Sequence, residues 1–170
     1  MHFNIFLMWK KCKQRWDDFF AHYETIFFCS VLSKNELKKI DVQAFAALPN
    51  LSSLDLSHNQ LKEILPLGLK QLQTLNLQGN EIQEIQEKAF ASLPKLVTLN
   101  LNFNELQSLP NNIFAQQTNL RNLTLSSNEL ESLPQEIFKP LENLVKLHLD
   151  SNHLKKLPAG IAYLKNLQYL

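Results

Sequence analysis

His148, Asp150 and His153 lie close together in the stretch LVKLHLDSNHLKKLP, from Leu144 to Pro158. Two imidazoles and a carboxylate are the ligand types of a zinc site, and a His–Asp pair is the material of general acid–base catalysis. Either use needs the groups to converge. His148 and Asp150 are two residues apart, so on a strand they share a face. His153 follows Asn152, past the end of that strand, and points elsewhere. Three diverging groups make a poor metal site. Elsewhere the chain has only three glycines, and no Gly-rich phosphate loop, Cys-x-x-Cys, His-Glu-x-x-His or Gly-x-Ser-x-Gly. The expectation is no catalytic residue, no metal, no cofactor and no small-molecule substrate.

What positions these residues is a repeat. LSSLDLSHNQL, LQTLNLQGNEI, LVTLNLNFNEL, LRNLTLSSNEL and LVKLHLDSNHL begin at Leu51, Leu72, Leu96, Leu120 and Leu144. All read L-x-x-L-x-L-x-x-N-x-L or its Ile variant. Their asparagines, Asn59, Asn80, Asn104, Asn128 and Asn152, are 21, 24, 24 and 24 residues apart. Asn35 in LSKNEL precedes Asn59 by a further 24, and LQYL at Leu167 begins another copy. Phe45, Phe90, Phe114 and Phe138 each follow an asparagine by ten residues; Leu69 takes that place in the short repeat, and Ile161 and Ala162 fall near it in the last. Self-similarity at such a period is the signature of a solenoid.

In each copy a short strand alternates, so Leu54 and Leu56 point one way while Ser53, Asp55 and Ser57 point the other. One copy cannot bury its leucines alone, but stacked copies pair their strands in parallel around a continuous core. The asparagines fall at the turns after the strands, where a buried amide satisfies backbone groups that the curving chain leaves unpaired.

The pattern resembles that of the leucine-rich repeat family, in its 24-residue subclass, over residues 27–170. The resemblance implies an α/β solenoid of about six repeats, the last incomplete. Its curved parallel sheet would line the concave face, with short helices or 3-10 turns on the convex face. It also implies that Asn35, Asn59, Asn80, Asn104, Asn128 and Asn152 form a structural ladder. Residues 1–26 carry Trp9, Cys12, Trp16, Phe19, Tyr23 and Ile26 on one helical face. They read as an amphipathic helix capping the first repeat. The alternative is a membrane-surface contact through residues 3–16, where apolar residues precede a basic cluster.

Function is expected on the concave columns. The candidate contacts are Asp55, Ser57, His58, Asn76, Gln78, Asn100, Asn102, Phe103, Asn122, Thr124, Ser126, Lys146, His148 and Asp150. Most are small and neutral, suited to hydrogen bonding a protein surface. Phe103 is the lone aromatic of its column. Glu81, Glu105 and Glu129 each follow an asparagine and would align as an acidic strip, favouring a basic partner.

The net charge of +1 argues against a nucleic-acid binder. It is unevenly distributed: residues 41–138 carry 5 basic and 10 acidic groups, and both flanks are basic. Two cysteines, Cys12 and Cys29, favour a reducing compartment, and the N-terminus lacks the order of a secretory signal. The cysteine-rich cap of extracellular family members is also absent. The expectation is a cytoplasmic protein-interaction scaffold, or one delivered into a host cell by a specialised secretion system. The alternatives are the recognition or regulatory segment of a larger effector or enzyme interrupted at Leu170, and a membrane-associated adaptor.

Overall fold

A computed structural model describes residues 32–45 and 48–170. The expected helix over residues 1–26 and the membrane contact through residues 3–16 lie outside the described residues. The repeats build a curved parallel sheet of β1 (Ser53–Asp55), β3 (Thr74–Asn76), β5 (Thr98–Asn100), β6 (Asn122–Thr124) and β7 (Lys146–His148), in that order. The register holds each repeat in phase: Leu54, Leu75, Leu99, Leu123 and Leu147 are cross-strand partners. All five are buried at 0 % exposure, while the residues on either side of them face outward. A three-residue strand is too short to stand alone; it is held because both neighbours and the core fix it. The pairing continues past the strand ends, as Leu56 N–H donates to Asn76 O at 2.8 Å and Leu101 N–H to Thr124 O at 2.8 Å.

The core behind the sheet is closed by the phenylalanines. Phe45, Phe90, Phe114 and Phe138 are buried, and the Phe90 and Phe114 rings stack with centroids 6.3 Å apart. Burying each such side chain contributes about 1.5–3 kcal/mol. Leu69 fills the same place in the short repeat and is buried too, whereas in the last repeat Ile161 is half-buried and Ala162 exposed. On the convex side the described residues run through turns and two short 3-10 helices, Val42–Phe45 and Ala159–Tyr163.

Two features were not anticipated. A second, two-stranded parallel sheet joins β2 (Glu63–Ile64) to β4 (Glu84–Ile85). Here Ile64 and Ile85 supply β-branched residues, with no proline directly after them. The later repeats have Leu109–Pro110, Leu133–Pro134 and Leu157–Pro158 at this place. Proline has no N–H to give a ladder, and the second sheet does not extend into them. The other feature is Gln117, fully buried where neighbouring repeats have Leu93 and Leu141. Its Nε2 donates to Phe90 O at 2.8 Å and Leu93 O at 3.3 Å, while its Oε1 has no partner.

Candidate interaction face

The site begins with the turn that ends each strand. Asn128 shows the arrangement: Nδ2 donates to Leu125 O of its own repeat at 3.0 Å and to Leu101 O of the preceding one at 2.9 Å. Its Oδ1 accepts from Leu106 N–H at 3.1 Å. Asn59, Asn80, Asn104 and Asn152 make the equivalent bonds, so one amide ties two repeats at every step. Asn35, half-buried, donates to Ser33 O at 3.0 Å.

To make this turn, the residue before the asparagine adopts a left-handed backbone. Lys34, His58, Gly79, Phe103, Ser127 and Ser151 all have φ between 54° and 67°. Only Gly79 suits that region without penalty; for the others it costs about 1–2 kcal/mol each. The asparagine's bonds and the register on both sides hold them there. At Gly79 a side chain would also collide with its neighbour, because a Cβ would lie 2.7 Å from His58 Nδ1. The imidazole of His58 therefore rests against the bare backbone of Gly79.

Across the concave face the polar side chains bond to one another. Asn100 Nδ2 donates to Gln78 Oε1 at 2.9 Å, and Thr124 Oγ1 donates to Asn100 Oδ1 at 2.8 Å. Asn122 Nδ2 donates to Thr98 Oγ1 at 3.2 Å. Asn102 Oδ1 accepts from Ser126 N–H at 2.8 Å, and Ser126 Oγ donates to Asp150 Oδ1 at 2.6 Å. Asp55 and Asn76 bond back to the backbone N–H two residues on, at Ser57 and Gln78. These bonds fix side-chain rotamers before anything docks. Ser57 and Ser126 are buried, and Asp55, Asn76, Gln78, Asn100, Asn102, Asn122 and Thr124 are half-buried. His58, Phe103, Lys146, His148 and Asp150 are exposed.

His148 and Asp150 do share the face, whereas His153 is carried past the turn, its N–H donating to Leu130 O at 2.9 Å. Among the described residues no three His, Cys, Asp or Glu side chains gather around a metal-sized space. The Ser126 hydroxyl, donating to Asp150, holds its carboxyl below the usual range, and the nearby His148 adds to this. In this arrangement the Ser126 hydroxyl is committed as a donor to the Asp150 carboxylate. Lys146 leans over the ring of Tyr169, 4.9 Å from its centroid. Tyr169 was missed as a surface residue, although it continues the column of Thr98, Asn122 and Lys146.

Glu81, Glu105 and Glu129 line up one strand spacing apart and are stitched sideways to the repeat before. Lys62 Nζ lies 3.7 Å from Glu81 Oε2, while Gln83 Nε2 donates to Glu105 at 2.9 Å and Gln107 Nε2 to Glu129 at 3.2 Å. An amide satisfies the oxygen but leaves its charge in place. Two shallow hollows, of about 460 and 270 Å³, lie on the convex side between successive turns; Asn112 and Ala115 line both, and none of the concave candidates lines either.

Comparison with known proteins agrees with this architecture. The leucine rich repeat family profile matches residues 31–82, 70–130 and 118–170. A leucine-rich repeat protein of Leptospira interrogans has a similar solved structure, with 36 % sequence identity and a TM-score of 0.72. The match covers 81 % of this chain and 34 % of that one, so the chain spans about a third of the relative's length. No curated protein sequence matches the chain. The repeat, its register and these matches together make the chain a member of the leucine-rich repeat family.

Proposed function

We propose that the solenoid is a protein-interaction module and that its concave sheet makes the contact. One observation carries this reading: polar side chains of three successive repeats are held in place by lateral hydrogen bonds, from Gln78 just past β3 through Asn100 of β5 to Thr124 of β6. A surface ordered in advance loses little side-chain entropy when a partner docks. The leucines hold the shape, while the outward positions choose the partner. The module acts by display, with no bond made or broken, in a reducing compartment such as the cytoplasm or a host cell.

A comparison of faces tests the reading. Proteins retained from a cell lysate by the intact chain are compared with those retained by two variants. Asn76→Arg/Asn100→Arg/Thr124→Arg alters the concave face, and Glu87→Arg/Asn112→Arg/Glu136→Arg the convex one. The concave variant is expected to lose the retained protein and the convex variant to keep it, with similar thermal unfolding. The opposite pattern, or equal loss from both, sinks the proposal.

A second reading is favoured by the length of the Leptospira protein, about three times the span that matches. In it the module is the recognition or regulatory segment of a larger effector or enzyme. The same face would then select what that enzyme acts on.

A further inference from the structure

We infer that Phe103 is the seat for a cationic side chain, and that the partner presents an arginine or lysine in a basic segment running along the glutamate row. The inference rests on the concave face being the contact surface, and adds the chemistry of what it contacts.

Phe103 is 57 % exposed. Its ring is not used to fill the core, and its backbone is held at φ 55°, a conformation that bulky residues avoid. A large apolar side chain thus stands on display at one position of the left-handed column. Two other aromatic residues are well exposed among the described residues, Tyr163 and Tyr169, and each is covered by a lysine. Lys139 Nζ lies 5.6 Å from the Tyr163 centroid, and Lys146 Nζ lies 4.9 Å from that of Tyr169. These are the distances at which a cation is drawn to the negative face of a ring. Among the described residues no cation stands over Phe103 in this way.

The surroundings specify the charge of whatever covers it. Glu105 is two residues on, across the asparagine turn, and Glu129 follows one strand later, roughly 4.8 Å along the sheet. Glu105 and Glu129 accept hydrogen bonds from the neutral amides of Gln83 and Gln107, and neither has an ion-pair partner among the described residues. Their charge reaches the rim uncompensated. A neutral apolar group could cover the ring but would leave that field unanswered. A guanidinium or ammonium satisfies both, with its cation on the ring and its neighbours' charges along the row. On the other side of Phe103 the column has no side chain at Gly79, and the His58 ring rests against that glycine.

The experiment measures binding of the full chain to three fluorescent twelve-residue peptides of equal apolar content, one arginine-rich, one glutamate-rich and one neutral. The arginine-rich peptide is expected to bind best and to weaken as salt is raised. Phe103→Leu, which keeps an apolar side chain but removes the ring, should weaken binding about three- to tenfold, and Phe103→Tyr should restore it. Glu105→Gln with Glu129→Gln keeps an acceptor for each neighbouring amide and removes the charge, and should weaken binding further. Unfolding curves establish that each variant is folded. Equal binding by Phe103→Leu overturns the inference, as does failure of the arginine-rich peptide to bind. If the glutamate-rich or neutral peptide binds instead and is lost on Asn100→Arg, the cation seat is wrong and the concave contact surface stands.

Discussion

The strands of the middle and of the last repeat share one backbone and differ in what surrounds them. In β1, β3, β5 and β6 the outward residues are half-buried; in β7, Lys146 and His148 are exposed. Asn100 has Asn76 on one side and Thr124 on the other, whereas His148 is paired with Thr124 alone. A polar side chain in the middle thus closes its hydrogen bonds sideways, and the middle of the face is neutral and ordered. Beyond β7 the described sheet holds a single bridge, Lys146 to Tyr169, and the end carries charged groups, Lys146 over the Tyr169 ring and Asp150 bonded by Ser126. β1, the other edge strand of this sheet, keeps half-buried outward residues, so the exposure of β7 goes with its longer charged side chains as well as with its place at the edge.

The asparagine ladder offers the largest test of that difference. Asn128→Ala leaves Leu106 N–H unpaired deep in the stack and takes from Leu101 O one of its two amide donors, the other being Asn104 Nδ2. It should lower stability by about 1–3 kcal/mol, because a buried donor left unpaired loses its full solvation. Asn152→Ala removes the same bonds from a half-buried rung, where water can replace them, and should cost about half as much. Urea unfolding of the two variants measures the contrast, and equal losses would break it.

A smaller effect of opposite sign is expected at Gln117. Gln117→Leu removes the unpartnered Oε1 and restores the leucine of the neighbouring repeats. Phe90 O and Leu93 O keep their backbone donors, Leu93 N–H and Leu96 N–H. Stability should rise by about 1 kcal/mol, read from the same unfolding curves.

The smallest effect belongs to the charged end. The carboxyl of Asp150 is held below its ordinary 3.8 by the Ser126 hydroxyl. Its contribution to stability is therefore present above that ordinary value and is lost as pH falls through the lower folded one. NMR titration of Asp150 should show a midpoint below 3.8 that moves up in Ser126→Ala. The neutral network from Gln78 to Thr124 has no group that titrates there, so its resonances should stay still. A midpoint unmoved by Ser126→Ala would remove the coupling between the two strands.

Most of the fold was legible because its rule is local and repeated. Leucine alternation gave the strands and their inward faces, and the recurring asparagine marked each turn. What escaped depends on neighbours that are distant in sequence. The sheet of β2 and β4 needed an isoleucine in two successive repeats and no proline directly behind either. Gln117 reads as a surface residue until the column of Leu93 and Leu141 is seen beside it. The columns of the candidate face were visible, but the bonds that tie Asn100 to Gln78 and Thr124 were not. Side chains of the same types could equally have pointed to water.

The left-handed turn has a consequence for engineering. Lys34, His58, Gly79, Phe103, Ser127 and Ser151 have unlike side chains on nearly the same backbone. The handedness is imposed by the asparagine that follows and by the register around it, so side-chain identity is almost decoupled from chain path. This column is a set of interchangeable sockets one strand apart. A library randomised there, with each asparagine kept, would vary the chemistry of the rim while holding its spacing fixed.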